Sequence, residues 1–512
     1  MNPDPPPRVG LGLLKRAAVA GVIVVALSAT AVASAVLFQV DQVKTTFLKA
    51  SGREQIDIPE ITRAEAGDPR TFLILGSDAR YSDKKLGLKP RSDTILLVRV
   101  DPDRKRIAVL SLPRDLKVSI PGHGTDKINA AYADGGPRMT VRTVQKLFHD
   151  RLGVSFPINN VINVNFSGFK RAVSYVHGVY VDVDRRYYND NSAPDASGHY
   201  AKIDIQPGYQ RLSGGDALAY VRYRHGDSDL YRAARQQDFL RQVVHEDRVR
   251  ALLDVGKRIQ LARIFGRYFE VDKSFRSSKT IISLIKMGLF MTGHHAPVNE
   301  VRFPALDSAD PAVDTYLHVT TPGLRQVYNE FISGKGSTNP RPLSKPTKAD
   351  KEFNRLRGKQ NKPAAIPGLE QARTEGENMA VLADPKLNFP FYFPTLRYRG
   401  SRYASQTARI YRIRDELGRR HQAYRLVLFA GAAGEYYGVQ GMTWRSPPIL
   451  DNPDAVRQVG RRRLRLYYDG HHLRLVAWKT RRAVYWVTNT LSDKLSNAQL
   501  IGIAASLARL KQ

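Results

Sequence analysis

Residues 17–40, AAVAGVIVVALSATAVASAVLFQV, hold no charge in 24 positions. As a helix rising about 1.5 Å per residue they reach roughly 36 Å, enough to cross a hydrocarbon core of about 30 Å. A core helix is seldom apolar on every face for so long. Residues 41–68 are polar and mixed and read as a stalk. From Thr71 short apolar runs take over. Phe72 to Leu75 ends at Gly76, like a buried strand feeding a loop. Thr94 to Val100 and Ile107 to Leu112 predict two more strands, joined by the turn chemistry of Asp101-Pro102-Asp103. Val141 to Leu152 predicts a helix, Val161 to Phe166 a strand, Lys170 to Val176 a helix and Gly178 to Val183 a strand. Long helical patterns fill roughly 230–290, and 321–333 reads as a last helix. Residues 334–378 are rich in Gly, Ser, Pro and Lys with little apolar period, as in a linker. Beyond them Val427 to Ala430, Leu464 to Tyr468, Leu473 to Trp478 and Ala483 to Val487 predict strands, and Asn497 to Leu510 a closing helix.

Strands alternating with helices predict an α/β fold. The expected class is a mixed central sheet flanked by helices, after one N-terminal transmembrane helix, with a smaller C-terminal α+β domain. The divisions are a tail at 1–16, the membrane helix at 17–40, the stalk at 41–68, a main domain at 69–333, the linker, and a second domain at 379–512.

Composition changes this picture in three places. A length of 512 residues is a prior for two or three domains. No cysteine is present, which excludes disulfides, thiolate metal sites and a Cys nucleophile. Lys and Arg number 80 against 48 Asp and Glu, a formal charge of +32, so the partner is an anion: nucleic acid, anionic lipid or an acidic polymer. Arg8, Lys15 and Arg16 precede the apolar run, while Asp41 and Lys44 follow it. The positive-inside rule puts the N-terminus in the cytoplasm and the body outside, on a single-pass cell-membrane anchor. Ala33-Ser34-Ala35 also resembles a cleavage site, but the length of the run favours retention. Either way the body is extracytoplasmic, and nucleic acid drops out as a partner.

Four polar clusters sit at predicted strand ends or beside helical patterns: Gly76-Ser77-Asp78-Ala79-Arg80, Arg91-Ser92-Asp93-Thr94, Leu112-Pro113-Arg114-Asp115, and Tyr220 to Arg224 followed by Asp229 to Gln236. Strand ends in an α/β sheet converge on one crevice. Arg222 and Arg224, two apart, share a face if that stretch is extended. Arg232 and Gln236, four apart, share a helix face. Guanidinium groups aimed at one spot repel unless an anion sits there, and their planar fork suits phosphate. Asp78 and Asp93 supply hard oxygens, and two carboxylates with phosphate oxygens are a usual way to hold Mg²⁺. Taken singly, each residue is as well read as a surface ion pair, a turn former or a helix cap.

The stretches FLILGSDAR, RSDTILLVRVDPDRKRIAVLSLPRD, KINAAYADGG, VINVNFSGF, GYQRLSGGDALAYVRYRHGDSD and RAARQQDFL, in this order, resemble the catalytic domain of the LytR–CpsA–Psr family of bacterial cell-envelope proteins. The likeness covers 71–245, and roughly half the chain when the helical part to 333 is counted. It implies an enzyme that transfers a glycopolymer from a polyprenyl-pyrophosphate carrier to peptidoglycan as a phosphodiester. It further implies Mg²⁺ on Asp78 and Asp93, and pyrophosphate held by Arg114, Arg222, Arg224 and Arg232 with Gln236 beside them. Arg80, Lys127 and Asn129 would line the same cleft. Asp93 and Asp115 are both candidates for the base that takes the acceptor proton. Where the family usually has Gly-Gly-Val, this chain has His177-Gly178-Val179. Two other functions compete: a non-catalytic binder or tether of lipid pyrophosphate or anionic wall polymer, and a regulator. Retention of both Asp and all four Arg speaks against the first, and the absence of a helix-turn-helix signal against the second. In the second domain the Arg-rich 461–472 and 478–482 read as a clamp for anionic polymer or as solvated strand faces. The adjacent pairs His294-His295 and His471-His472 read as surface residues.

Overall fold

The computed structural model describes residues 42–510 apart from 44, 48, 51–54, 78–89, 193–201, 224–228, 246–257, 294–295, 307–313, 335–365 and 432–433. The uncharged run at 17–40 lies outside these residues. Among the described ones no helix is long and apolar enough to cross a membrane.

The first region runs β1 (Arg70–Ser77), β2 (Ser92–Asp101), β3 (Arg106–Leu112), the hairpin β4 (Lys117–Ile120) and β5 (Gly124–Lys127), α1 (Ala130–Leu152), β6 (Asn160–Asn165), α2 (Phe166–Tyr175) and β7 (Val179–Val183). It continues with β8 (Tyr187–Asn189), β9 (Ile203–Ile205), β10 (Gly208–Leu212), α3 (Gly214–Arg222), α4 (Asp229–His245), α5 (Arg258–Tyr268), β11 (Phe269–Val271), α6 (Ser278–Gly293), β12 (Val298–Val301) and α7 (Thr321–Ser333). Six strands form the central sheet in the order β11-β6-β1-β2-β3-β12. The pairs β1–β6 and β3–β12 are parallel and the others antiparallel, so the sheet is mixed as expected.

Alternation along the strands sends Leu73, Leu75, Ile95, Leu97, Ala108 and Leu110 to one face, where α1 and α7 supply Val141, Val144, Phe148, Leu324 and Phe331. Leu96, Val109 and Val298 face the other way, toward Leu240 of α4. Burying each such side chain contributes roughly 1.5–3 kcal/mol. α1 begins eleven residues before the apolar period suggests. Gly135 and Gly136 take non-helical angles just ahead of Pro137 and split it, which hides its first turns from a periodicity reading. β11 interrupts the helical pattern at 230–290, being three residues too short to register as a strand in sequence. His177 adopts φ 62 and Gly178 φ 86. A left-handed turn is required here, which accounts for the glycine the family prefers at position 177.

Residues 55–68 are seated on the body and do not stand off from it as a stalk. Ile58 is in the main core, Ile56 bridges to Asp272, and Thr62 N–H donates to the Ile158 carbonyl at 2.7 Å. Their isolated isoleucines are too widely spaced to form a period.

The second region begins at 366, inside the stretch read as linker. β13 (Leu369–Gln371) and α8 (Arg373–Ala383) bury Leu369, Met379 and Ala380 in its core. There follow β14 (Leu396–Tyr398), β15 (Arg402–Tyr403), β16 (Arg409–Arg414), β17 (Arg420–Phe429), β18 (Tyr436–Met442), β19 (Ala455–Val459), β20 (Arg462–Asp469), β21 (His472–Lys479), β22 (Val484–Thr488) and α9 (Asn497–Ser506). An eight-stranded antiparallel sheet dominates, so the region is β-rich. Arg462 donates to the Ala504 and Ala505 carbonyls at the end of α9, a structural use of one of its many arginines. His471 and His472 are exposed; His294 and His295 lie outside the described residues.

The two regions share a buried seam. Tyr180 of β7 and Tyr209 of β10 stack at 5.6 Å and pack with Trp444, Trp486 and Met442. Gly208, at φ 113, admits Tyr411: a Cβ there would lie 2.7 Å from its hydroxyl. Asp182 accepts from Trp486 Nε1 at 2.8 Å and pairs with Arg425 at 3.2 Å. Arg241 of α4 pairs with Asp238, with Glu300 at 2.7 Å and with Asp469 at 3.1 Å.

Candidate active site

Strand direction decides what meets at the edge of the sheet. β1 and β6 run parallel and β2 antiparallel, and β3 returns beside β2. The C-terminal ends of β1, β3 and β6 therefore lie together with the N-terminal end of β2. Ser77 pairs with both Ser92 and Asn165. The residues next in sequence are Asp78, Asp93 and Phe166. Crevices at such strand ends are where α/β sheets take ligands.

Arg114 follows β3 and reaches back to β2. Its Nη1 lies 2.9 Å from Asp93 Oδ1, and its Nε 3.3 Å from Asp115 Oδ2. Lys127, at the end of β5, places Nζ 3.0 Å from Asp115 Oδ1. These four side chains are 19–25% exposed, half-sunk at a cleft mouth. Asn129 is buried, its backbone N–H donating to the Arg114 carbonyl at 3.2 Å, and its Oδ1 has no hydrogen-bond partner among the described residues. A buried amide oxygen without a donor is costly unless a ligand or water supplies one.

Arg222 ends α3 with its guanidinium 3.8 Å from the centre of the Phe166 ring, just past the end of β6. It is therefore helical, and the extended stretch assumed for Arg222 and Arg224 does not hold at Arg222. Tyr223 leaves the helix at ψ 134. α4 carries Arg232 and Gln236, both buried. Gln236 Nε2 donates to Thr94 Oγ1 and to the Val221 carbonyl, each at 3.1 Å, and so ties α4 to β2 and α3. Asp78, Arg80 and Arg224 lie outside the described residues.

Sequence reasoning singled out none of the three polar residues beneath the edge. The Asn163 amide meets the Tyr132 hydroxyl at 2.9 Å and Glu270 Oε2 at 2.8 Å. Burial pushes the Tyr132 phenol up, against hydrogen bonds with Ser77 and Asn163, so it stays a neutral donor. Tyr132 and Asn163 lie inside KINAAY and VINVNF, and that was the available signal. Among the described residues no three His, Asp or Glu side chains gather as an all-protein metal cage.

A cluster of guanidinium and ammonium groups at strand ends, partly held by carboxylates, can bind and polarise a phosphorylated ligand. The chain is similar to several known proteins. The profile of the LytR_cpsA_psr family matches residues 32–331. The polyisoprenyl-teichoic acid–peptidoglycan teichoic acid transferase TagT of Bacillus subtilis is 30% identical over 269 residues, 52% of this chain and 78% of its own length. TagU of Bacillus cereus, which carries the same transferase name, is 34% identical over 198 residues, 38% of this chain. The chain spans about half the length of that relative, 56%. Among solved structures, Bacillus subtilis TagT is 28% identical with a TM-score of 0.39, covering 56% of this chain and 98% of that one. The protein YwtF (TagT) with bound octaprenyl pyrophosphate lipid is 27% identical with a TM-score of 0.39, covering 56% and 98%. With more than half of its length inside the profile match and the strand-end cluster within that match, the chain belongs to the LytR_cpsA_psr family.

Proposed function

We propose that the protein transfers a glycopolymer from a polyprenyl-pyrophosphate carrier to peptidoglycan, forming a phosphodiester. Arg114, held between Asp93 and Asp115 with Lys127 alongside, is the observation that carries this reading. The transferase names of the relatives support it. The substrate pyrophosphate answers the cations: Arg114, Lys127, Arg222, Arg224, Arg232 and Arg80 bind its oxygens, and Asn129 and Gln236 complete the lining. The acceptor hydroxyl attacks the phosphorus that bears the glycan. Its new P–O bond forms as the bond to the lipid phosphate breaks, and polyprenyl monophosphate leaves. Arginines prearranged around the diphosphate stabilise the charge that develops on the leaving oxygen. The acceptor proton goes to a carboxylate. Asp93 and Asp115 are the candidates, each paired with Arg114 and Asp115 also with Lys127.

The donor set suits Mg²⁺. Asp93 is a half-buried carboxylate at the strand edge, one residue past Ser92, which pairs with Ser77. Mg²⁺ is commonly held by one or two carboxylates plus substrate phosphates. Asp78 and Asp93 would hold it, and it would add positive charge on the diphosphate. Residues 17–40 would anchor the chain in the cell membrane with the body extracytoplasmic, within reach of lipid carrier and wall. The test is to mix full-length protein, a polyprenyl-pyrophosphate glycan and peptidoglycan, and to weigh the lipid product. Polyprenyl monophosphate is the expected mass. Intact carrier, bound but unconverted, would leave only a binder.

A further inference from the structure

Three consecutive residues of the second region close on the start of α4. Gly434 and Glu435 lead into β18, which Tyr436 begins. Gly434 has φ +82, and a Cβ there would lie 2.5 Å from Cδ2 of the Tyr231 ring. Glycine alone suits both that backbone and that approach. Glu435 is 6% exposed, and its Oε1 accepts from the Tyr231 hydroxyl at 2.9 Å. The same oxygen accepts from Ser492 Oγ. The guanidinium of Arg185, which follows β7, lies 5.3 Å from the centre of the Tyr436 ring and 5.4 Å from that of Tyr223. The second region braces this turn with its own groups. Ala430 N–H donates to the Glu435 carbonyl at 2.8 Å, and Lys494 Nζ to the Ala430 carbonyl at 3.0 Å.

These contacts bracket two of the proposed substrate arginines. Tyr223 follows Arg222 at the end of α3, and Tyr231 precedes Arg232 in the first turn of α4. Arg235 Nη2 donates to the Tyr223 carbonyl at 2.7 Å and ties α4 to the end of α3. The first turn of a helix has no intrahelical partner for its own N–H groups, so what packs against it decides how firmly it is set. On α4, Tyr231 and Arg235 share one face, and Arg232 and Gln236 the adjacent one. Gln236 reaches Thr94, the neighbour of Asp93, at 3.1 Å. Arg232 lies one turn before Gln236 on that face.

We propose that Glu435 and Tyr231 are positioning residues for the pyrophosphate site. Through their hydrogen bond the second region fixes the first turn of α4, and with it the place of Arg232. This rests on the reading of Arg232 as a pyrophosphate ligand. Neither Glu435 nor Tyr231 touches the ligand in this arrangement; both act through the helix. The family match at 32–331 includes Tyr231 and excludes its acceptor, so the site is set by chain outside that match.

The test measures the affinity of the full chain for polyprenyl pyrophosphate, with the melting temperature taken on the same samples. Arg232→Ala reports on the site itself and should weaken binding. Tyr231→Phe removes only the hydroxyl, and Glu435→Ala removes its acceptor. Each should weaken binding about tenfold, the weight of one hydrogen bond to a charged group. The double variant should bind no more weakly than either single one, because both remove the same contact. Glu435→Gln keeps an oxygen for the tyrosine and should bind as the native chain does. If Arg232→Ala weakens binding while Tyr231→Phe and Glu435→Ala bind normally, the positioning role is overturned and the site stands, even where melting temperatures fall. Additive losses in the double variant, or a Glu435→Gln chain as weak as Glu435→Ala, would overturn it too. A native chain that binds no polyprenyl pyrophosphate, or an Arg232→Ala chain that binds it as tightly, would overturn the site and this inference with it.

Discussion

The cleft at the strand ends and the seam between the two regions are made from the same residue types and put them to opposite use. In the cleft, Asp93, Arg114, Asp115 and Lys127 are 19–25% exposed, and the cations around them outnumber the carboxylates. In the seam, Arg241, Asp238, Glu300 and Asp469 are 6–9% exposed, and Arg425 with Asp182 0% and 3%. There each guanidinium already has carboxylate partners. The cleft groups stay open to water and to an anionic ligand, while in the seam Arg241 and Arg425 are paired with carboxylates of the protein itself. Arg-rich sequence alone does not separate the two cases; burial and partner count do.

The comparison breaks most easily at Arg241. Arg241→Ala leaves Glu300, Asp238 and Asp469 facing one another out of water, and should cost about 3–5 kcal/mol of unfolding free energy. Denaturant melts would register it, and a loss below about 1 kcal/mol would mean that the seam is wet. Arg114→Ala should do the reverse. Polyprenyl monophosphate release should fall on the order of 10²–10³-fold, as for removal of one transition-state donor, with a much smaller change in melting temperature.

The seam should also respond to pH. Burial pushes Asp493 up to about 7 despite Arg302, with Asp469 adding to the rise. Burial likewise raises Glu300 against the pull of Arg241. In the unfolded chain an Asp titrates near 4. Between about pH 4 and 7 the folded protein therefore holds the extra proton, and stability falls as pH rises through that window. Asp493→Asn should flatten the slope of melting temperature against pH; an unchanged slope would place the titration elsewhere. The smallest effect belongs to Tyr132→Phe, which removes one hydroxyl between the cleft floor and Asn163 and should cost about 1 kcal/mol. If it also slows lipid release without changing the melting temperature, the floor belongs to the working half of the comparison.

β1, β2 and β3 were legible in the sequence because Gly76 and Asp101-Pro102-Asp103 punctuate their apolar runs. β11 and β12 were not, since three or four residues carry no period and only pairing with β6 and β3 makes them strands. In the cleft, Asp93, Arg114, Asp115 and Lys127 meet in one chain of ion pairs. Arg222 was read on the wrong geometry, because a spacing of two says nothing about where a helix ends. Glu270 was invisible: it stands 107 residues from the Asn163 it contacts. Asp182 and Arg425, 243 residues apart, form a pair that no local pattern could announce.

α4 belongs to both regions at once. Its first half carries Arg232 and Gln236, and its second half carries Asp238 and Arg241, bound to Asp469 of the β-rich region. The family match ends at 331, yet cutting the chain there would bare Tyr180 and Tyr209 and leave Asp182 without Arg425 and Trp486. In this protein the unit of inheritance is shorter than the unit of folding. A first region borrowed from the family would need its β7, β10 and α4 surfaces rewritten before it could live in water alone.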